Sequence, residues 1–258
     1  MISALLKSFR SPRRFRSRRD LRSRIRARRW EARALAACES LEDRTLLATM
    51  TWDGEGDGTS WSDALNWEGD VAPVNGDDIV IGPAFAADTT VVDDLAAFDF
   101  NSIDSAATVR VARTAFSIQS NSSFGGLILE NEIRAPVSVD QVDVLGDFIW
   151  RSGTVGAINN LNVQGNLIVQ DRVNGSGKQL NSGILNIHGD ASVWMTDDSI
   201  NGAGTLANHG TFTFQTNASF GFNNPPGRFL NQPGARVIVD APDVDGEEFQ
   251  LFRMNNLG

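Results

Sequence analysis

The sequence predicts an all-β body wound as a right-handed parallel β-helix (a β-solenoid), behind a basic N-terminal leader that is disordered or helical. Three observations carry this expectation. The first is a repeat between about residues 142 and 240. Val144-Leu145-Gly146-Asp147, Val163-Gln164-Gly165-Asn166, Ile187-His188-Gly189-Asp190 and Phe214-Gln215-Thr216-Asn217 share one pattern: apolar, any, small, then Asp or Asn. The steps are 19, 24 and 27 residues, and self-similarity at this period marks a solenoid. A second marker steps with it: Asn174-Gly175-Ser176-Gly177 returns as Asn201-Gly202-Ala203-Gly204, and Asn181 as Asn208 and then Asn231.

The second observation is the strand signal between the markers. Leu167–Val169, Ile184–Ile187, Thr211–Phe214 and Val237–Val239 are short, period-two, β-branched or aromatic runs bounded by Gly, Asn, Asp or Ser. The third is that no long stretch here has helical periodicity, which excludes helix crossovers and with them a leucine-rich horseshoe or a doubly wound sheet. A β-sandwich could use the same strands, but it has no reason to repeat Gly-Asp and Asn-x-Gly in register. Coils stacked at about 4.8 Å pair strand with strand. Gly and Asn suit the corners because both tolerate positive φ, and a recurring Asn can stack as an amide ladder. One coil cannot bury its apolar face alone, so several must stack.

The net charge of −9 conceals two halves. Residues 1–48 carry fourteen basic and five acidic residues, and residues 49–258 carry nine basic and twenty-seven acidic. A body this acidic, with Lys178 its single lysine, lacks the cations that neutralise phosphates and excludes nucleic acid as its partner. Cys38 is the single cysteine, so there is no disulfide framework. No apolar run is long enough to cross a membrane as a helix.

Residues 1–48 form the leader. Arg and Ser dominate Ser8 to Arg29, and a helix could run from Asp20 to Leu47 with Leu21, Ile25 and Leu35 on one side. It ends in Leu41-Glu42-Asp43-Arg44-Thr45-Leu46-Leu47-Ala48. This resembles the LEPR-XLL motif of large secreted and surface proteins of the planctomycete type, in which an arginine-rich leader precedes Leu-Glu-Pro-Arg-x-Leu-Leu. Leu41, Glu42, Arg44, Leu46 and Leu47 match; Asp43 stands where that family has proline. The resemblance implies export or surface sorting. An inert arm and a nucleic-acid-binding arm compete with it on composition alone. A standard secretory signal needs a longer apolar core than Ala34–Cys38, and the same shortage counts against Leu35-Ala36-Ala37-Cys38 as a lipoprotein box.

Residues 49–83 form a tryptophan module: Trp52, a Gly-rich acidic loop, Trp61-Ser62-Asp63, Asn66-Trp67, Pro73 and Gly76-Asp77-Asp78 before a strand. This resembles the opening module of secreted bacterial β-helical and autotransporter-like proteins. The expected role is a cap, because the first coil of a solenoid exposes an open edge and an open apolar end that large aromatics can cover. A sugar-binding aromatic platform is the alternative. Asp53, Glu55 and Asp57 have the spacing of a calcium loop, but position 12 is Ala64 rather than glutamate. No metal or cofactor is expected.

Residues 84–258 form the coils. Short strands are expected at 89–92, 108–111, 116–118, 126–129 and 137–139, as first coils with less regular corners. Glu248 to Arg253 reads as a strand running into a further coil, as in a piece of a longer surface protein. Asp197-Asp198 and Asn208-His209-Gly210 resemble the Asp-Asp and Gly-His-Gly motifs of polygalacturonases. However, their spacing is under one coil, no Arg-x-Lys follows, and adjacent Asp residues on a strand point to opposite faces. His188 and His209 read as solvent-facing coil residues. The expectation is therefore an exported or cell-surface structural or adhesive protein, not an enzyme, with cell-envelope components or glycans as partners. The alternative is a carbohydrate-binding or carbohydrate-active β-helix.

Overall fold

The computed structural model describes residues 48–86, 90–95, 99–112, 116–134, 139–171, 177–193, 200–214, 227–239 and 254–256. The leader residues Leu41, Glu42, Arg44, Leu46 and Leu47 lie outside them, as do Asp197 and Asp198. The described body is a parallel β-helix with three strand-bearing faces, and about six of its turns carry all three.

The first face stacks β1 (Thr49–Thr51), β2 (Asp78–Ile81), the first half of β5 (Ser102–Val111), the first half of β7 (Ser122–Leu129), β9 (Gln141–Val144), β12 (Asn160–Val163), β15 (Ile184–Ile187), β18 (Thr205–Asn208), β20 (Arg228–Asn231) and β22 (Met254–Asn256). The second face stacks β3 (Thr90–Asp93), the second halves of β5 and β7, β10 (Phe148–Trp150), β13 (Leu167–Val169), β16 (Ala191–Val193), β19 (Thr211–Phe214) and β21 (Arg236–Val239). The third stacks β4 (Asp99–Phe100), β6 (Phe116–Ile118), β8 (Ile133–Arg134), β11 (Gly153–Gly156), β14 (Lys178–Leu180) and β17 (Ile200–Asn201). Every pairing between named strands is parallel, so the sandwich is excluded. The strands expected at 116–118, 167–169, 184–187 and 211–214 form at those bounds. The one expected at 137–139 lies mostly outside the described residues.

The alternation of the sequence becomes alternation of burial, because successive side chains on a strand point to opposite sides. One inward row of the first face runs Ile79, Ile103, Ser122, Val142, Leu161, Leu185, Leu206 and Phe229. An inward row of the second runs Val91, Val109, Leu127, Phe148, Leu167, Ala191 and Phe212. Burying one such side chain contributes about 1.5–3 kcal/mol before entropy is counted. Phe212 and Phe229 meet edge to face at 5.1 Å, so aromatic packing continues between faces.

The register corrects both repeat markers. Val144, Val163 and Ile187 are rung partners as expected, but the next rung is Asn208 and not Phe214. Phe214 belongs to the second face, between Val193 and Val239. Likewise Asn201 stands opposite Gln179 rather than Asn174, and Asn208 opposite Ile187 rather than Asn181. The step from Asn208 to Asn231 holds.

The reason for glycine at the corner also differs from the expectation. Gly125, Gly146, Gly165, Gly189 and Gly210 form a column between the first and second faces. A Cβ on each of the last four would sit 2.1–2.4 Å from the carbonyl oxygen of the glycine below. Close backbone stacking, not positive φ, selects glycine there. Positive φ does occur at the corner between the third and first faces, at Gly183 (φ +77°), which also lies too close to Ile158 O for a side chain. No described asparagine has positive φ.

Candidate functional site

The sequence-predicted site residues of the tryptophan module come together as one structure, and it closes three edges. On the first face β1 pairs with β2, while Glu68 N–H donates to Thr51 O and Trp52 bridges Trp67 in antiparallel sense. On the second, Trp61 N–H donates to Val92 O and Val92 N–H to Thr59 O. On the third, Gly76 N–H donates to Asp99 O, Asn101 N–H to Asp77 O, and Asp99 N–H to the Asn75 side-chain oxygen. The module thus hydrogen-bonds to the first coil on each of the three faces, where an open edge would otherwise lie.

Above these edges sit the tryptophans. Trp61 and Trp67 are fully buried and Trp52 nearly so. Trp52 meets Trp67 edge-on at 5.0 Å, Trp67 meets Trp61 at 5.8 Å, and Trp61 meets Phe100 at 5.4 Å. The chain of edge-to-face contacts runs from the module into the first complete turn. Trp67 Nε1 donates to Trp61 O at 2.9 Å; Trp52 Nε1 and Trp61 Nε1 have no protein acceptor. Burial removes the aromatic-platform reading for all three, since no ring face is open to a sugar.

Asn66 is the module's organiser, fully buried. Its Oδ1 accepts from Gly56 N–H at 3.0 Å and Gly58 N–H at 2.9 Å; its Nδ2 donates to Asp57 Oδ1 at 2.8 Å and Ser60 O at 2.9 Å. Asp57 also accepts from the N–H groups of Thr59 and Ser60, both at 2.8 Å. Bonds from the Ser60 side chain and backbone, then from Thr59 and Asn66, hold its carboxyl below the usual carboxylate range. Asp63 Oδ2 accepts from Asp57 N–H, and its Oδ1 caps the short turn at Leu65 N. Of the calcium-like trio, Asp57 and Asp53 are turned to the loop's own backbone, Asp53 Oδ1 accepting from Glu55 N–H at 3.2 Å. Asp77 ties Ala48 N at 3.3 Å and Val74 N at 2.8 Å. Asp78 accepts from Asn101 Nδ2 at 2.7 Å and Ser102 Oγ at 2.5 Å in the next coil.

Beyond the cap, polar side chains form rungs between coils. Along the outer first face, Ser123 donates to Asp104 at 2.6 Å, Asn162 to Asp143 at 2.9 Å and Asn186 to Asn162 at 2.9 Å. Inside the core, Asn208 Nδ2 donates to Asn231 Oδ1 at 2.8 Å and to Arg236 O at 2.9 Å. Amide pairs therefore join adjacent coils at two places: outward between Asn162 and Asn186 on strands, and buried between Asn208 and Asn231 of the expected series. Buried Glu130 bridges two coils, accepting from Arg110 at 2.8 and 3.1 Å and from Arg151 at 2.8 Å. Burial raises its pKa, but the two guanidinium groups outweigh this and hold the carboxyl low.

Sequence reasoning missed several groups. Asp93 occupies an inward position whose partners one and two turns on are Val111 and Leu129. Burial pushes its carboxyl up to about 7, and Asp94 adds to this against a hydrogen bond from the Leu95 backbone. A polar residue closing the run Val91-Val92-Asp93 was the available signal. Lys178 is fully buried on β14, in the row of Gly153 and Ile200, a place that only the register reveals. A groove of about 340 Å³ on the third face is lined by Glu130, Asn131, Glu132, Gly153, Thr154, Gly177 and Gln179. His188 and His209 are solvent-facing, as expected, and their rings stack at 4.6 Å. No cluster of three or more His, Cys, Asp or Glu suited to a metal occurs among the described residues. No described helix is long and apolar enough to cross a membrane. No family model, curated protein or solved structure matches the chain.

Proposed function

We propose that this chain is an exported or cell-surface protein whose β-helix has a structural or adhesive role and carries no catalysis. The observation that best supports this reading is where the polar side chains point. Asp57, Asp63, Asn66, Asp77 and Asp78 hold the cap together; Glu130, Asn162, Asn186, Asn208 and Asn231 tie coil to coil. These groups serve the stack. Delivery to the surface is carried by the leader, whose composition and Leu41-Glu42-Asp43-Arg44-Thr45-Leu46-Leu47 ending supply the argument. Cell-envelope components or glycans are the partners such a surface meets.

Two experiments separate the halves of this reading. Protease shaving of intact planctomycete-type cells should remove the full chain and spare a version lacking residues 1–48; equal shaving of both would show that the leader is not the address. A screen of polysaccharides for released reducing ends or unsaturated products should find none. Turnover that is lost in Asp197→Ala, Asp198→Ala or His209→Ala would overturn the non-catalytic half.

A second reading has its own observation. The third-face groove presents carboxamides, a hydroxyl and a carboxylate at Asn131, Gln179, Thr154 and Glu132, a set suited to a hydroxyl-rich ligand. Glycan-array binding weakened by Gln179→Ala would support it, and an array without signal would remove it.

A further inference from the structure

The chain has two histidines in 258 residues, 21 apart in sequence. The fold places them on adjacent rungs. His188 N–H donates to Val163 O and His209 N–H to Ile187 O, so the two occupy one row at the corner after the first face. The same pattern puts Gln164 on the rung before and Gln232 on the rung after. Both imidazoles face solvent, with ring centroids 4.6 Å apart and planes 23° apart.

From this juxtaposition we propose that His188 and His209 form a two-imidazole site for a borderline divalent transition-metal ion of the Zn²⁺ class. Zinc is tetrahedral and binds imidazole nitrogen at about 2.0–2.1 Å, so two nitrogens on one ion lie about 3.4 Å apart. The ring centroids lie 4.6 Å apart, so the two exposed rings must turn toward each other for their nitrogens to share one ion. Neutral imidazole is the ligand form. Water fills the remaining positions, which makes the site open and exchangeable. Hard cations such as Ca²⁺ and Mg²⁺ prefer all-oxygen ligands and are poor occupants. Among Ni²⁺, Cu²⁺ and Zn²⁺ the affinity order should follow the general one, with Cu²⁺ tightest.

The full chain, titrated with ZnCl₂ while the histidine ring protons are followed by NMR, tests this. The ring signals of both residues should shift together and saturate near one equivalent. His209→Gln is the informative variant, because the row already accommodates Gln164 and Gln232. It should weaken zinc binding at His188 by about tenfold or more, and His188→Ala should do the same at His209. Ring signals that shift independently, a remaining histidine whose affinity is unchanged in either variant, or the absence of any shift would overturn the proposal. CaCl₂ that displaced the zinc-induced shifts would also overturn it.

Discussion

Gly165 shows how a single missing methyl sets the distance between coils. A Cβ there would meet the carbonyl carbon and oxygen of Gly146, both at 2.4 Å, and backbone offers no rotamer by which to yield. Gly165→Ala should therefore destabilise the body by about 2–4 kcal/mol, the scale of forced overpacking. Gly82, with φ −69° and nothing near its Cβ position, is the control: Gly82→Ala should stay within about 0.5 kcal/mol of the parent. Thermal melts of the pair separate stacking from general glycine effects. Asp93 makes a pH prediction. Its folded pKa near 7 lies above an unfolded value of about 3.9. The folded state thus holds the proton while the unfolded state loses it. Stability from this group is greatest below about pH 4, falls as pH rises toward 7, and is level beyond. Asp93→Asn removes that fall, on the order of 4 kcal/mol at most, so its melting temperature should exceed the parent's at pH 8 and match it near pH 4. Equal differences at both pH values would mean that Asp93 ionises normally.

The strands were legible because alternation is local. Thr211-Phe212-Thr213-Phe214 reads as a strand from its own four residues, and it is one. Register was less legible because it depends on which rung the chain reaches, and rungs differ in length. The sequence reading continued Val144, Val163 and Ile187 to Phe214, since it required an apolar residue at that point. The true rung is Asn208, a polar residue inside the core that is acceptable because Asn231 and Arg236 O complete its bonds. Gly210 was the better guide, as the next member of the glycine column. Asn208→Ala should cost about 1–3 kcal/mol by removing the buried bonds from Asn208 to Asn231 and to Arg236 O, measured by denaturant unfolding. Glu130 behaves similarly at the scale of two coils. Glu130→Ala leaves Arg110 and Arg151 without their shared buried partner, though both arginine side chains are part-exposed, at 39% and 32%. A loss of about 1–3 kcal/mol is expected, less than for a fully buried pair. Asn66, Trp61 and Trp67 were the most legible site residues, because Gly-rich loops and clustered tryptophan are rare together.

As a whole, the body is a stack whose N-terminal end is closed by its own chain. The tryptophan cluster was legible in the sequence, and the hydrogen bonds that tie it to the first coil were not. Nothing in Trp61 or Gly76 announces that their N–H groups pair with Val92 and Asp99 from different faces. That assignment depends on where the chain turns in three dimensions. Trp61→Ala should cost about 3–5 kcal/mol, and the loss should spread to the first complete turn through Phe100. Residue-resolved amide hydrogen exchange on the full chain tests the cap most directly. The N–H groups of Trp61, Gly76, Val92 and Asn101 should exchange as slowly as those of Leu161 and Leu185 in the middle of the stack, and Trp61→Ala should accelerate all four together. Fast exchange at these four positions in the parent, with the central strands still protected, would contradict a cap that closes three edges at once.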